Sequence, residues 1–180
     1  MKRREFITLL GGAAWPLAAQ AQQQEKMPRI GIIGDDPLVD HFRQELRDLG
    51  YIEGRNIAIE YRSTEAQPDR LAAAATELAR LPVDAIATFG SPATQAAKQA
   101  TTTIPIVMSG IGDPVRAGFV ASLAHPGGNI TGNTILGPEL AAKRLQLLKL
   151  AVPTMSRVAF LWNPDNLSHA AYLDASPNRK

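Results

Sequence analysis

The chain has no cysteine at all, which rules out disulfides and thiolate chemistry. Histidine is nearly as scarce. His41, His125 and His169 lie too far apart to give a metal-ligand spacing. Net charge is missing as well. Lys2, Arg3, Arg4 and Glu5 fall within the first 21 residues, and what remains holds 16 basic and 16 acidic side chains. A neutral chain without basic runs carries no electrostatic footprint for nucleic acid. The apolar stretch from Phe6 to Ala19 is too short, and too broken by Gly11, Gly12 and Pro16, for the ~20 residues that cross a bilayer as a helix.

That stretch does make an export signal. A positive start (Lys2, Arg3, Arg4) precedes it, and Ala19-Gln20-Ala21 follows with the small-x-small pattern of a cleavage site. Residues 1–21 therefore read as a signal peptide, cut after Ala21, that sends the protein to the periplasm. Arg3-Arg4-Glu5-Phe6-Ile7 resembles the twin-arginine motif, whose cargo folds before export, although Lys2 and Thr8 replace its usual neighbours. The remaining 159 residues suffice for one domain with its own core.

Beyond the signal, β-type and helix-period runs alternate strictly. Arg29 to Gly34 reads as a buried strand, and Leu38, Phe42, Leu46 and Leu49 mark the inner face of a helix stopped at Gly50. Asn56–Tyr61 alternates as a second strand. A helix from Pro68 to near Pro82 turns Leu71, Ala75 and Leu78 inward. Asp84–Phe89 is a third strand, followed by an Ala-rich helix to about Ala100. Ile104–Met108 is a fourth, a short helix is expected over Val115–Leu123 with His125 at its end, and Asn129–Gly132 is a fifth. After Pro138 comes a helix to about Leu150 with Leu140, Leu147 and Leu148 inward, then a sixth strand at Arg157–Trp162. The expectation is an α/β fold with a parallel, doubly wound sheet of order 2-1-3-4-5. Such sheets bind ligands beyond the carboxyl ends of their strands, where strand order reverses, here between strands one and three.

That rule selects Gly34-Asp35-Asp36, Gly90-Ser91-Pro92 and the loop Ser109-Gly110-Ile111-Gly112-Asp113. Ser91 as N-cap and Pro92 at the first helical position start a helix, and the free amides of Ala93 and Thr94 can hold a carboxylate or phosphate oxygen. Equally, Ser91 can simply cap its own helix. Asp35 can bind an ammonium or hydroxyl, or serve as a turn residue before Pro37. Asp113 divides the same way between ligand and turn opener. Ser109 and Thr131 are further polar candidates near strand ends. A phosphoacceptor domain would need an aspartate where Phe89-Gly90 stands. Gly31-Ile32-Ile33-Gly34 lacks the third glycine of a dinucleotide fingerprint. No nucleophile motif or Ser/His/Asp arrangement is present, so no catalytic residue, cofactor or metal is assigned.

Several segments together resemble one family, the periplasmic substrate-binding proteins of ABC transporters, in the group that includes tryptophan/tyrosine-type uptake components. They are Lys2 to Ala19, Leu49-Gly50-Tyr51-Ile52-Glu53-Gly54-Arg55-Asn56, Glu60-Tyr61-Arg62, Ala100 to Val107, Gly112-Asp113-Pro114-Val115, Leu123 to Gly132, and Lys143-Arg144-Leu145-Gln146-Leu147-Leu148. The resemblance implies a type I periplasmic-binding-protein fold, with two lobes closing on a small solute. That solute is then delivered to a permease and ATPase at the inner membrane. A family member of this kind is a non-enzymatic monomer.

It also implies a first lobe over 28–135 and the start of a second over 136–166, with an irregular tail at 167–180. The second lobe is then largely missing, and the helix and strand belonging to it would leave apolar surface bare. In an amino-acid binder, Ser91 with the Ala93 and Thr94 amides takes the solute carboxylate, and Asp35 or Asp113 its amino group. The rival expectations are a secreted α/β enzyme, a solute-sensing fragment, or a truncated product without function.

Overall fold

A computed structural model describes residues 27–34, 37–64, 67–135, 137–164 and 166–174. The expected signal peptide over residues 1–21 and the candidate Asp35 lie outside them. The apolar β-type runs form β1 (Arg29–Ile33), β2 (Ala58–Arg62), β3 (Ala85–Phe89), β4 (Ile106–Ile111) and β5 (Ile130–Thr134). All pair in parallel, in the order β2-β1-β3-β4-β5. Between them come α1 (Leu38–Asp48), α2 (Arg70–Arg80) and α3 (Ser91–Ala100). The expected doubly wound order is the observed one.

Two faces of the sheet are buried, which is why β1 and β3 read as continuous apolar runs. Ile33, Ile86, Ile106 and Ile130 point to one face and meet Ala74, Ala75 and Leu78 of α2 and Ala93, Ala96 and Ala97 of α3. Small alanines let both helices lie close to the strands. Ile32 and Ala87 point to the other face and meet Val39 and Phe42 of α1. Phe42 packs edge-to-face on Phe89 at 5.9 Å between ring centroids, and Arg43 lies over the Tyr61 ring at 5.0 Å. The helix α1 ends in a Schellman arrangement: the Gly50 N–H donates to the Arg47 carbonyl (2.9 Å) and the Tyr51 N–H to that of Leu46 (2.8 Å). Its buried face is centred on Val39 rather than on Leu38 and Leu49, which lie at the exposed edge of the apolar arc.

The structure corrects several further expectations. Residues 115–123 form hydrogen-bonded turns instead of a helix. Pro114, Gly118 and Pro126-Gly127 interrupt any helical run, and the segment is anchored instead by buried Phe119 and Val120. His125 therefore ends no helix; its N–H donates to the Ser122 Oγ at 2.9 Å. Strand β4 runs on to Ile111, so Ser109 belongs to a strand and not to a loop. The extension passes through a register shift between Met108 and Ile111, which lets the Ser109-Gly110 pair remain in the sheet.

Residues 157–162 form no strand, since no described strand pairs with them. Finally, 167–174 is helical, not irregular. The last two helices are α4 (Gly137–Ala151) and α5 (Leu167–Asp174). Leu140, Leu147 and Leu148 of α4 are exposed rather than inward, because α4 packs chiefly against α5 and not on the sheet. Val158, Phe160 and Leu161 are exposed too, Leu161 almost wholly at 98%.

The β4–β5 irregularity makes one glycine indispensable. Gly132 has φ +144°, and a Cβ added there would stand 1.9 Å from the Met108 carbonyl oxygen. Gly132→Ala should therefore cost about 2 kcal/mol or more in a urea melt. Gly128→Ala, where a Cβ meets nothing within 4 Å, should change the midpoint little.

Candidate functional site

Strand order reverses between β1 and β3, the place where sheets of this kind bind ligands. A cavity of about 210 Å³ lies at the carboxyl ends of the neighbouring strands β3 and β4. Gly90 and Ser91 after β3, and Gly110 and Gly112 at the end of β4, form one wall, with Phe160, His169 and Tyr172 opposite.

The turn from β3 into α3 builds the first wall. Gly90 has φ +78°, in the left-handed region, which lets the chain swing from strand to helix within one residue. Its N–H donates to the Ser109 carbonyl (2.9 Å), tying the ends of β3 and β4 together. Its carbonyl accepts both the Thr94 N–H (3.2 Å) and the Thr94 hydroxyl (2.9 Å). The same hydroxyl pairs with the Thr88 Oγ1 at 2.8 Å, and both threonines are fully buried. Thr94 is thus the pin of the turn, and its amide and hydroxyl are already engaged.

Gly90, not Ser91, occupies the N-cap position of α3, and Pro92 stands second in the helix. The expected register is off by one, because the left-handed glycine starts the helix earlier than a serine cap would. Ser91 makes no capping bond, and its hydroxyl is turned to the crevice. There it hydrogen-bonds the Ser168 hydroxyl, both residues being nearly buried (3% and 6% exposed). Ala93 puts its methyl into the core, so only its backbone can face a ligand.

The other candidates are distributed differently. Asp113 follows Gly112 at the crevice rim, and its Oδ1 accepts the Arg116 N–H (2.9 Å), closing the turn. Ser109 lines a separate hollow on the α1 side with Phe42, Phe89 and Val107, and its hydroxyl donates to the Asn133 Oδ1 (3.2 Å). Thr131 is exposed on edge strand β5 and lines a third, small hollow beside Pro114 and Ser122. The structure therefore brings Ser91 to the cavity, leaves Ala93 in the core and Asp113 one residue beyond the lining Gly112, and places Ser109 and Thr131 at separate hollows. Among the described residues, no three His, Cys, Asp or Glu side chains converge as metal ligands, and no helix is long and apolar enough to cross a membrane.

Sequence reasoning missed the second wall. Phe160 stacks on Tyr172 at 6.4 Å, and His169 meets Tyr172 edge-on at the same distance. One signal was available: Asn166 is an N-cap residue type directly before Leu167-Ser168-His169-Ala170-Ala171, and its Oδ1 does accept the Ser168 N–H (3.1 Å).

The family model for ABC transporter substrate-binding proteins matches residues 34–172. The chain belongs to this family. A tyrosine-binding protein of Clostridioides difficile is 31% identical to it over 153 residues, 79% of this chain and 44% of that protein. A solved structure of a conserved domain protein from Vibrio cholerae is 28% identical with a TM-score of 0.75, covering 83% of this chain and 52% of the other. An ABC domain from Streptococcus pneumonia, solved in complex with L-Trp, matches in fold with a TM-score of 0.75 at 24% identity, again over 83% and 52%. This chain thus has a type I periplasmic-binding-protein-like fold and spans about half the length of the relatives it matches.

The threonine pair at the site is open to a double-mutant cycle. Thr88→Val and Thr94→Val should each lower stability by about 1–3 kcal/mol, since each strands a buried polar group. Denaturant melts of the double variant should show a coupling near 1 kcal/mol between them.

Proposed function

We propose that this chain is an extracytoplasmic solute-binding component of an ABC-type uptake transporter that takes up an amino acid at the β1–β3 switch point and performs no chemistry on it. The observation that carries the reading is the Ser91 hydroxyl. It is released from capping and held at the start of α3, in a crevice of a chain that matches the substrate-binding family over 34–172. A hydroxyl beside the Ala93 amide at a helix start suits a carboxylate, which the positive helix end also favours. Asp113 at the rim, and Asp35 after β1, supply the negative charge an ammonium group requires. Phe160 and Tyr172 offer an aromatic wall, and the tyrosine-binding relative makes L-tyrosine the first solute to try.

An enzyme reading finds no support in the hydrogen bonding. Ser91 pairs with another serine rather than a base, and the His169 Nδ1 is occupied by the Asn163 N–H (3.1 Å). The partners in this reading are a membrane permease and its ATPase, to which a monomeric binding protein presents its solute. Proteins of this family work outside the cytoplasm, and residues 1–21 supply the export signal, cut after Ala21.

Calorimetry on the chain from Gln22 onward tests the proposal against L-tyrosine, L-tryptophan and L-leucine. One of them should give a saturable heat with the solute recovered unchanged, and Ser91→Ala should weaken it about 3–10-fold, the loss of one hydrogen bond. Silence towards all three, repeated with a chain extended to the relatives' full length, would sink the amino-acid assignment.

A further inference from the structure

One imidazole stands in the cavity wall beside Ser91. His169 is the third residue of α5, and its own N–H donates to the Asn166 carbonyl (2.9 Å), which fixes it in the first turn of the helix. Its Nδ1 lies 3.1 Å from the Asn163 backbone nitrogen. A backbone N–H only donates, so Nδ1 accepts, and the neutral ring carries its proton on Nε2. That Nε2–H has no hydrogen-bond partner among the described residues, although the half-buried ring lines the cavity. One position earlier, Ser168 sets its hydroxyl on that of Ser91. Two hydroxyls joined by one hydrogen bond use one O–H between them and leave the other to donate. The serine pair and His169 therefore each keep one free donor at this wall. Among the described residues no lysine or arginine side chain lines the cavity.

We propose that His169 is a second side-chain donor of the carboxylate site: its Nε2–H donates to one oxygen of the solute carboxylate while the Ser91–Ser168 pair donates to the other. The proposal rests on the reading of Ser91 as the carboxylate site. A carboxylate is an acceptor with two oxygens, so a single hydroxyl leaves one of them unmatched. Hydrogen bonds to an ionised group are the strong ones, and a cavity without a fixed cation depends on them for its hold on the charge. The Asn163 N–H acts through the ring, by setting which nitrogen carries the proton. The group that His169 selects is the carboxylate, whatever side chain the amino acid bears.

Two amide variants separate the roles of the two ring nitrogens. Glutamine carries its amide nitrogen near the Nε2 position and has nothing polar near Nδ1, whereas asparagine has a polar atom near Nδ1 and nothing at Nε2. Calorimetry with L-tyrosine on the chain from Gln22 onward should find His169→Asn and His169→Phe about 3–10-fold weaker than the unaltered protein, and His169→Gln within about twofold of it. Tyramine, the same molecule without its carboxylate, should bind more weakly and alike to all four proteins. Nitrogen NMR of the histidine-labelled protein at about pH 8, where imidazole is ordinarily neutral, should place the His169 proton on Nε2, and L-tyrosine should move that resonance. Rescue by asparagine but not glutamine, or equal weakening in all three variants, would make the ring a structural link to Asn163 and overturn the donor. So would a proton on Nδ1. Equal affinity of all four proteins for L-tyrosine would end the proposal and leave the amino-acid reading standing. No heat from the unaltered protein with L-tyrosine, L-tryptophan or L-leucine is failure of that reading, and the donor falls with it.

Discussion

Between Phe89 and Thr94 the chain must leave a buried strand and enter a buried helix without stranding a polar group. A left-handed glycine and two threonine hydroxyls solve this together. Gly90 makes the turn, Thr94 takes its carbonyl twice, and Thr88 takes the remaining hydroxyl valence. Because buried polar groups are costly when unpaired, this small network leaves the turn one geometry. The Gly90 bond to Ser109 then carries that geometry to β4. The position of Ser91, and hence of the crevice, follows from it.

Away from that turn the chain divides into two physical regimes. From β1 to β5, side chains alternate into two apolar layers, one covered by the alanine faces of α2 and α3 and the other by Val39 and Phe42 of α1. From α4 onward many of the described apolar residues lie outside those layers, and Leu147, Leu150, Phe160 and Leu161 are exposed. A binding crevice gains affinity by enclosing most of its ligand's surface. Here the wall opposite Ser91 is made by the chain's own segment 160–172, and the chain spans about half the length of its relatives.

Much of the first regime was legible in advance. The runs Arg29-Ile30-Gly31-Ile32-Ile33 and Ala85-Ile86-Ala87-Thr88-Phe89 announce strands buried on both faces, and the intervening Ala- and Leu-periodic runs announce the crossover helices. Once order 2-1-3-4-5 is adopted, Ser91 falls at the reversal with no further information. What misled was local chemistry with two meanings. Gly90-Ser91-Pro92 reads as a serine cap, yet a left-handed glycine did the capping. Ser109-Gly110 reads as loop, yet a bulge kept it in β4. Thr94 reads as a helix-start amide donor, yet its burial beneath Thr88 made it structural.

By itself, then, the sequence determined the sheet, its order and the strand ends where that order reverses, because period-2 and period-3.6 apolar patterns are local and the right-handed crossover rule turns them into topology. Only the tertiary structure decided which polar atoms are available there. Whether Ser91, Thr94, Ser109 or Asp113 is free depends on partners that are close in space but remote in sequence. Ser168 lies 77 residues from Ser91, and no pattern along the chain places it at that hydroxyl.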